Sequence, residues 1–159
     1  PLNTVIESIN FLLANSLPLG RFVAAAFVAL DEVSCTGEIW VGGAPDVLMF
    51  DPAGHLERRF SSNNLPLGIM RSNDGVRGIE RFKWTSAAQL LLTSDGFAEA
   101  SDVDGVQFGE DRLIETIRQK SPGTSLIDAL QKSLQAHLKG GHAHDDMSML
   151  VIDCPVAAN

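Results

Sequence analysis

The sequence predicts an α+β fold, in which strands come in runs and the helices are grouped apart from them. Residues 22–60 and 79–84 contain short apolar or alternating stretches separated by turn residues, which is typical of an antiparallel meander. Two amphipathic helices are predicted after them, over residues 110–120 and 125–138, and a last strand ends the chain. Strands in runs followed by helices favour separate sheet and helix layers.

The first predicted element is a helix near the start of the chain. Thr4 and Glu7 have the spacing of a capping box, in which each side chain satisfies a backbone N–H of the first turn. The apolar residues that share one helical face after it are Val5, Ile9, Leu12 and Leu13. Residues 17–20 read LPLG and end this helix.

Five strands are predicted before residue 85, over residues 22–30, 38–41, 47–50, 55–60 and 79–84. The first is an uninterrupted apolar run, which predicts a strand that is fully buried. In the last, alternation places Phe82 and Trp84 on one face of the sheet. We assign Trp84 to the core and not to a ligand platform, because aromatic side chains dominate core burial.

The two later helices carry their own start and stop signals. Glu110 and Asp111 lie in a first turn, where acidic side chains favour the helix dipole, and Arg118 lies near the opposite end. Ser125 is the predicted N-cap of the second helix. Leucines at i, i+4 spacing give that helix one buried stripe, formed by Leu126, Leu130, Leu134 and Leu138.

Length and composition limit the classes of protein. The 159 residues predict a single domain with a sizeable core. A net charge of −8 argues against nucleic acid or an anionic membrane as partner, because each needs a basic patch. Cys35 and Cys154 follow no metal spacing and do not make a disulfide framework. The longest apolar run, residues 22–30, is shorter than the about 20 residues of a transmembrane helix, and no signal peptide is recognised. We therefore expect a soluble, cytoplasmic protein.

Acidic residues stand at the ends of two apolar strands. Asp95 follows the run 90–92 and precedes Gly96, which lets the backbone turn without a Cβ clash. Taken alone, this pair is ordinary turn chemistry at a strand end. A second acidic site, Asp145 and Asp146, comes directly before the apolar strand 147–152. Two carboxylates at strand ends can converge on a hard cation such as Mg²⁺ or Mn²⁺.

Other motifs in the chain give weaker indications of a metal site or a catalytic group. A calcium loop around Asp102 and Gly105 would need an acid at its first position, which is Ala100, and glutamate at its twelfth, which is Asp111, so a solvated turn is predicted. His142 and His144 have the spacing of a transition-metal clip, but histidines in a glycine-rich loop are more often solvent-facing. No motif for serine or cysteine nucleophilic catalysis is present.

Three ordered stretches carry a family resemblance: residues 91–100 read LLTSDGFAEA, 108–113 read FGEDRL, and 145–151 read DDMSMLV. They resemble the C-terminal motifs of the SpoIIE/RsbU-like bacterial protein phosphatases, which belong to the metal-dependent type 2C superfamily. Upstream stretches fit the same pattern in the same order, namely residues 22–23, 41–45 (VGGAP) and 65–69 (LPLGI). The pattern departs at Ala44, where the family usually has the histidine of an NAGHP motif, and at Ser148, where it tends to have threonine.

The resemblance implies a fold and a set of site residues. The fold is a layered β-sandwich flanked by helices. Two divalent ions, Mn²⁺ or Mg²⁺, bind through strand-end aspartates and activate a water that attacks phosphoserine or phosphothreonine. Asp95 and Asp145 match metal ligands. Asp146 matches a position that supports the ligands or an outer water, and Gly96 matches the family's turn glycine.

One family motif has no counterpart in the right place. The first metal motif of the family, whose Asp-Gly pair bridges both ions, lies upstream of the part that matches here. The other Asp-Gly pairs of the chain, Asp74-Gly75 and Asp104-Gly105, lie in polar turns after that position. We therefore expect residues 1–159 to be the C-terminal part of one type 2C domain, belonging to a longer protein and inactive by itself.

Two classes of function remain open from the sequence. The first is a phosphatase output domain of a signalling protein, joined to a receiver or sensor domain and acting on phosphorylated regulators of alternative sigma factors, such as an anti-sigma-factor antagonist. The second is a catalytically silent adaptor that controls a stress sigma factor, as in an RssB-like response regulator. The resemblance also leaves a homodimer open. The paired acids, Asp95 and Asp145, favour the phosphatase.

Overall fold

A computed structural model describes residues 1–70, 77–139 and 146–156. The elements in these ranges are α1 (Leu2–Ser16), β1 (Ala25–Asp31), β2 (Thr36–Gly42), β3 (Val47–Phe50), β4 (Leu56–Phe60), β5 (Glu80–Lys83), β6 (Ala88–Thr93), α2 (Asp95–Glu99), α3 (Glu110–Arg118), α4 (Leu126–Leu138) and β7 (Met149–Cys154). Antiparallel sheets combined with grouped helices confirm the α+β class. The chain forms two compact units, whereas the organisation into a single type 2C domain stays a prediction.

The first unit contains a three-stranded sheet in the order β1-β2-β5, and helix α1. Strand β2 is the central one and pairs antiparallel with both neighbours. Its Trp40 is buried and meets the Phe27 ring edge-on at 5.9 Å between centroids. The apolar residues packed in this cluster are Leu2, Ile6, Ile9, Leu13, Ala25, Phe27, Trp40, Leu67 and Ile79. The sheet and α1 are therefore joined by one hydrophobic core.

Helix α1 differs from its prediction at its start and in its buried face. It begins at Leu2 with Pro1 as N-cap and no side-chain cap bond, and the Thr4 carbonyl accepts a hydrogen bond from the Ser8 hydroxyl at 2.8 Å. The predicted capping box is therefore wrong. Ile6 is fully buried, whereas the predicted face residues Val5 and Leu12 are 51% and 62% exposed. Ile9 and Leu13 do pack inward, so the predicted stripe was about one residue out of phase with the real one.

The strand predictions hold best in the middle of the chain. Strand β3 has the predicted bounds, and Phe82 and Trp84 are both buried as expected. The predicted buried strand over 22–30 is wrong in its first half, because Phe22 is exposed and β1 begins at Ala25. Strand β1 is an edge strand and is only half-buried. The predicted continuous meander is also wrong, since β3 and β4 belong to a different sheet from β1 and β2.

The second unit contains a four-stranded sheet in the order β4-β3-β6-β7, together with α2, α3 and α4. Strand β6 lies between β3 and β7, with antiparallel pairing on both sides. The predicted leucine stripe of α4 is buried, and the Ser125 hydroxyl accepts from the Asp128 N–H at 3.1 Å, which confirms the N-cap.

The longest helix, α1, has 15 residues, and among the described residues no helix has the length and apolarity to cross a bilayer.

The turn at residues 102–105 is a solvated turn, as predicted. One oxygen of the Asp102 carboxylate accepts hydrogen bonds from the N–H groups of Asp104 and Val106, each at 3.0 Å. The Gly105 N–H donates to the Asp102 carbonyl, and glycine suits this position because its φ is +78°. The turn is therefore organised by the Asp102 carboxylate.

We expect Asp102 to make the stability of the chain depend on pH. The Val106 N–H is the main group that holds the pKa of the Asp102 carboxyl below its ordinary value. A lowered pKa in the folded state means that the contribution is present above about pH 4 and is lost as pH falls through the folded pKa. Asp102→Asn should lower the Tm at pH 7 and reduce the further loss of Tm between pH 7 and pH 3.

The matched control is Asp104→Asn. The Asp104 carboxylate is exposed and accepts no backbone hydrogen bond among the described residues. Thermal unfolding followed by circular dichroism at both pH values compares the variants. If Asp102→Asn loses as much stability on acidification as the wild type, the assigned role of the Asp102 carboxylate is wrong.

Candidate metal centre

Asp95 lies directly after the central strand of the second sheet. Leu91 of β6 is buried and pairs with Leu48 of β3 on one side and with Val151 of β7 on the other. The ladder with β3 extends to Leu91 and the ladder with β7 extends to Thr93, so β7 restrains β6 up to its last residue. The chain then enters α2 at Asp95, whose side chain is exposed and accepts a hydrogen bond from the Gly96 N–H at 2.9 Å. Asp95 is therefore an accessible carboxylate at a rigid position.

The end of β6 lies beside the beginning of β7. Thr93 and Met149 are the last paired residues of the ladder. Beyond them the Ser94 N–H donates to the Ser148 carbonyl at 3.0 Å. The Ser94 hydroxyl accepts from the Ser148 N–H at 2.9 Å and donates to the Asp146 carbonyl at 3.3 Å. Asp95 and Asp146 therefore flank neighbouring strand ends at the same end of the sheet. The predicted closeness of the Asp95 and Asp145 carboxylates stays a prediction, because Asp145 lies outside the described residues.

The short helix α2 is fixed from its other side. Phe97 is buried and meets the Phe108 ring edge-on at 5.7 Å between centroids. The Gly109 N–H donates to the Ala98 carbonyl and the Phe108 N–H to the Ala100 carbonyl, each at 2.8 Å. The motif at residues 108–113 thus anchors the helix whose first residue is Asp95. This accounts for the presence of both stretches in one sequence pattern.

The predicted site residues are described in part. Asp95 and Gly96 lie in α2, after β6, and the Asp146 carbonyl accepts from the Ser94 hydroxyl before β7 begins. Asp145 lies outside the described residues, as do His142, His144 and the Asp74-Gly75 pair. Gly96 is buried inside α2 and its φ is not in the left-handed region, so the expected need for a glycine turn at this position does not explain it. The metal roles of these residues stay predictions.

Ser94 is the residue that sequence analysis left without a role. Its hydroxyl connects two segments that are 54 residues apart in the chain at Ser148 and 52 apart at Asp146. A hydroxyl side chain directly before a strand-end acid was the available signal, but its partners could not be named without the register of β6 and β7. The register decides which backbone groups the hydroxyl meets.

The donor set suits a hard cation but does not complete a site among the described residues. Carboxylate oxygens are the ligands that Mg²⁺ and Mn²⁺ prefer, and the exposed Asp95 carboxylate provides them. Within residues 1–70, 77–139 and 146–156, no group of three or more His, Cys, Asp or Glu side chains is arranged to hold a metal ion. Asp95 therefore fits as one member of a larger ligand set.

The comparison with known protein families decides the family. The model of stage II sporulation protein E (SpoIIE) matches residues 1–155, which is nearly the whole chain. The chain belongs to the SpoIIE family. The type 2C resemblance noted in the sequence is thereby confirmed, and three further likenesses extend it.

The first likeness is to Protein IcfG from Synechocystis, which is 22% identical over 152 residues that make up 95% of this chain and 24% of that protein. The second is to the PP2C domain of SiaA from Pseudomonas aeruginosa, with a TM-score of 0.77 and 16% identity over 94% of this chain and 59% of that one. The third is to the RsbU and RsbW domains of Rv1364c from Mycobacterium tuberculosis, with a TM-score of 0.72 and 17% identity over 100% and 44%. At these identities the solved structures show that this SpoIIE-family chain has the fold of PP2C phosphatase domains.

Two properties of these relatives bear on the site. The SpoIIE-family chain spans about a quarter of the length of IcfG and less than two thirds of the SiaA structure. RsbX, which has the same fold with a TM-score of 0.63 and 10% identity over 95% of this chain and 63% of that one, was solved as a complex with magnesium. At least one protein of this fold has therefore been solved with a divalent cation.

Proposed function

We propose that residues 1–159 form the C-terminal part of a metal-dependent protein serine/threonine phosphatase domain. The observation that carries the proposal is the position of Asp95, an accessible carboxylate at the end of the central strand β6, beside the start of β7. The acidic pair Asp145 and Asp146 comes immediately before β7 in the sequence. Membership of the SpoIIE family and the fold of PP2C phosphatase domains support the same function.

Each acidic residue of the proposed site would have its own role. Asp95 and Asp145 would hold Mn²⁺ or Mg²⁺ through their carboxylate oxygens, and Asp146 would support that arrangement from outside the ligand set. A divalent ion bound there supplies a water of low pKa and offsets the negative charge of a phosphoryl group. Gly96 would contribute its backbone N–H, which donates to Asp95 and restrains the orientation of the carboxylate.

The cellular context is proposed from the family. We place the domain as the cytoplasmic output module of a response regulator, acting on phosphorylated regulators of alternative sigma factors such as an anti-sigma-factor antagonist. The support is that a matched chain joins RsbU and RsbW domains, and another joins the SpoIIE phosphatase domain to part of a regulatory domain. The small share of IcfG that this chain covers agrees with an output module within a larger protein.

A silent adaptor module is the alternative, and one residue favours it. Ala44 stands two residues after β2, where the family usually has histidine, and an alanine side chain has no hydrogen-bonding group and no charge. The lack of a complete three-residue metal set in the described ranges is compatible with either function. Metal binding by Asp95 separates the two, since an adaptor has no need of it.

The test is thermal unfolding of the 159-residue chain with and without millimolar Mn²⁺. A ligand at ten times its Kd stabilises the folded state by about 1.4 kcal/mol, which raises the Tm of a chain of this size by about 3–5 °C. We expect a measurable shift in the wild type that does not exceed this value, because these residues supply only part of a two-metal site. Asp95→Asn should abolish it, since the amide removes the charge and one anionic ligand.

The matched control is Asp104→Asn, which makes the same chemical change at another exposed acid of the second unit. This variant should keep the full shift. An equal Mn²⁺ shift in wild type and Asp95→Asn, or no shift in either, would count against the metal site and therefore against the phosphatase.

A further inference from the structure

The Ser94 hydroxyl makes a two-way link between the strand ends at the proposed site. It accepts a hydrogen bond from the Ser148 N–H at 2.9 Å and donates one to the Asp146 carbonyl at 3.3 Å. A serine hydroxyl has one proton to donate and lone pairs to accept with, so both bonds can form together. The hydroxyl thus engages one donor and one acceptor of the same short segment, two residues apart.

This link begins where the β-sheet ladder ends. The last ladder pair is Thr93 with Met149, so the backbone at Asp146 lies beyond the regular pairing of β6 with β7. The Ser94 N–H adds one bond to the Ser148 carbonyl, but no backbone bond from Ser94 reaches as far as Asp146. The hydroxyl is therefore the group of Ser94 that restrains the backbone of Asp146, and Ser94 is directly followed by Asp95.

We propose that Ser94 is a positioning residue, whose hydroxyl holds the backbone at Asp146 beside Asp95. The end of the sheet at which the metal would bind is then preformed. The inference rests on the proposed function for its metal and goes beyond it by assigning a role to a residue that would not itself bind the ion. A preformed arrangement binds more tightly because less ordering is needed on binding. Partners of this outer kind commonly change metal affinity by about 10-fold or more when they are removed.

Ser101 offers a comparison, because its hydroxyl makes only a local hydrogen bond among the described residues. The Ser101 hydroxyl, in the same unit, donates to the Glu99 carbonyl at 3.0 Å, two residues away in the chain. Such a local bond cannot hold two strands together. Ser101→Ala is therefore the matched control, because it removes the same atom and one hydrogen bond without touching the link.

The experiment is amide NMR of the 159-residue chain, first without metal and then titrated with Mn²⁺, whose paramagnetism broadens nearby signals. In Ser94→Ala we expect hydrogen exchange of the Ser148 amide to be about 10-fold faster, because the N–H loses its hydroxyl acceptor. The Mn²⁺ concentration that half-broadens the Gly96 amide should rise about 10-fold. Ser94→Thr keeps the hydroxyl and should stay within about twofold of the wild type in both readouts.

The outcomes separate the two hypotheses. The positioning role is supported if Ser94→Ala binds Mn²⁺ more weakly than the wild type. Ser94→Thr should restore the binding, and Ser101→Ala should leave it unchanged. If Ser94→Ala binds Mn²⁺ like the wild type while Asp95→Asn does not bind, the positioning role is overturned and the proposed function stands. If Asp95→Asn broadens like the wild type, the metal site fails and the inference fails with it.

A second variant guards against a folding defect in Ser94→Ala. Ser94→Cys keeps a side chain of similar shape but replaces the hydroxyl with a thiol, which is a weak donor and acceptor. It carries the same expectation as Ser94→Ala, namely faster exchange at Ser148 and weaker Mn²⁺ binding. Wild-type values of both readouts in Ser94→Cys would also overturn the positioning role.

Discussion

Asp95→Ala is expected to lower the kcat/KM of the whole protein for phosphoserine peptides by at least about 10³-fold. The physical reason is that a metal that activates water contributes much of the lowering of the barrier, and each 1.36 kcal/mol of lost transition-state stabilisation is about tenfold in rate. If Asp95 binds the metal as proposed, alanine at this position removes one anionic ligand and provides no other. Release of inorganic phosphate at saturating Mn²⁺ measures the effect.

The whole protein is the right material for that assay. Two-metal hydrolysis needs ions about 3.5–4 Å apart, and within the described ranges no group of three or more His, Cys, Asp or Glu side chains is arranged to hold a metal ion. Asp104→Ala, at an exposed turn residue, is the control and should keep activity within about twofold. Full activity in Asp95→Ala would show that the metal role is misassigned. Tight binding of a regulator without any activity would favour the adaptor.

The elements that the sequence predicted well depend on local signals. Ser125 satisfies an N–H three residues away, and the leucines of α4 repeat every turn, so both can be recognised within one short window. Strand β3 is bounded by Pro45 before it and by the turn at residues 51–54 after it. Local chemistry decides where such elements begin and end, which is why these predictions were confirmed.

The predictions that failed depend on contacts between distant segments. Periodicity alone did not show which face of α1 would meet Trp40 and Leu67, so Val5 and Leu12 were placed on the wrong side. The apolar run from residue 22 was assigned to the interior, but an edge strand is covered less completely than a central one. Strand β3 follows β2 in the sequence but pairs with β6, and no local sequence signal indicates that pairing.

The candidate site likewise has residues that the sequence could predict and others that it could not. Asp95 could be found from the sequence because an acid that ends a buried apolar run is a local pattern. The predicted closeness of Asp95 and Asp145 depends on two strands lying side by side, and β6 does pair antiparallel with β7, whereas Asp145 lies outside the described residues. The role of Ser94 could not be predicted, because its hydroxyl partners are fixed only by the register of those strands.

Leu91→Ala is expected to be the most damaging single change for stability among those considered. Leu91 is 1% exposed and packs with residues of α2, α3 and α4 in the core of the second unit. Truncation of a buried leucine to alanine removes its hydrophobic contribution and leaves a cavity, at a cost of about 2–5 kcal/mol. Since natural domains have about 5–15 kcal/mol of stability in total, this loss is a large share of it.

The control for that prediction is Leu150→Ala in the neighbouring strand β7. Leu150 is 55% exposed, so the same chemical change should cost about 0.5 kcal/mol or less. Guanidinium unfolding of both variants gives the two free energies of unfolding. Because β6 carries Asp95 at its end, Leu91→Ala should also weaken Mn²⁺ binding in proportion to the fraction of protein that it unfolds. Equal free energies of unfolding for Leu91→Ala and Leu150→Ala would contradict the central place of β6 in this core.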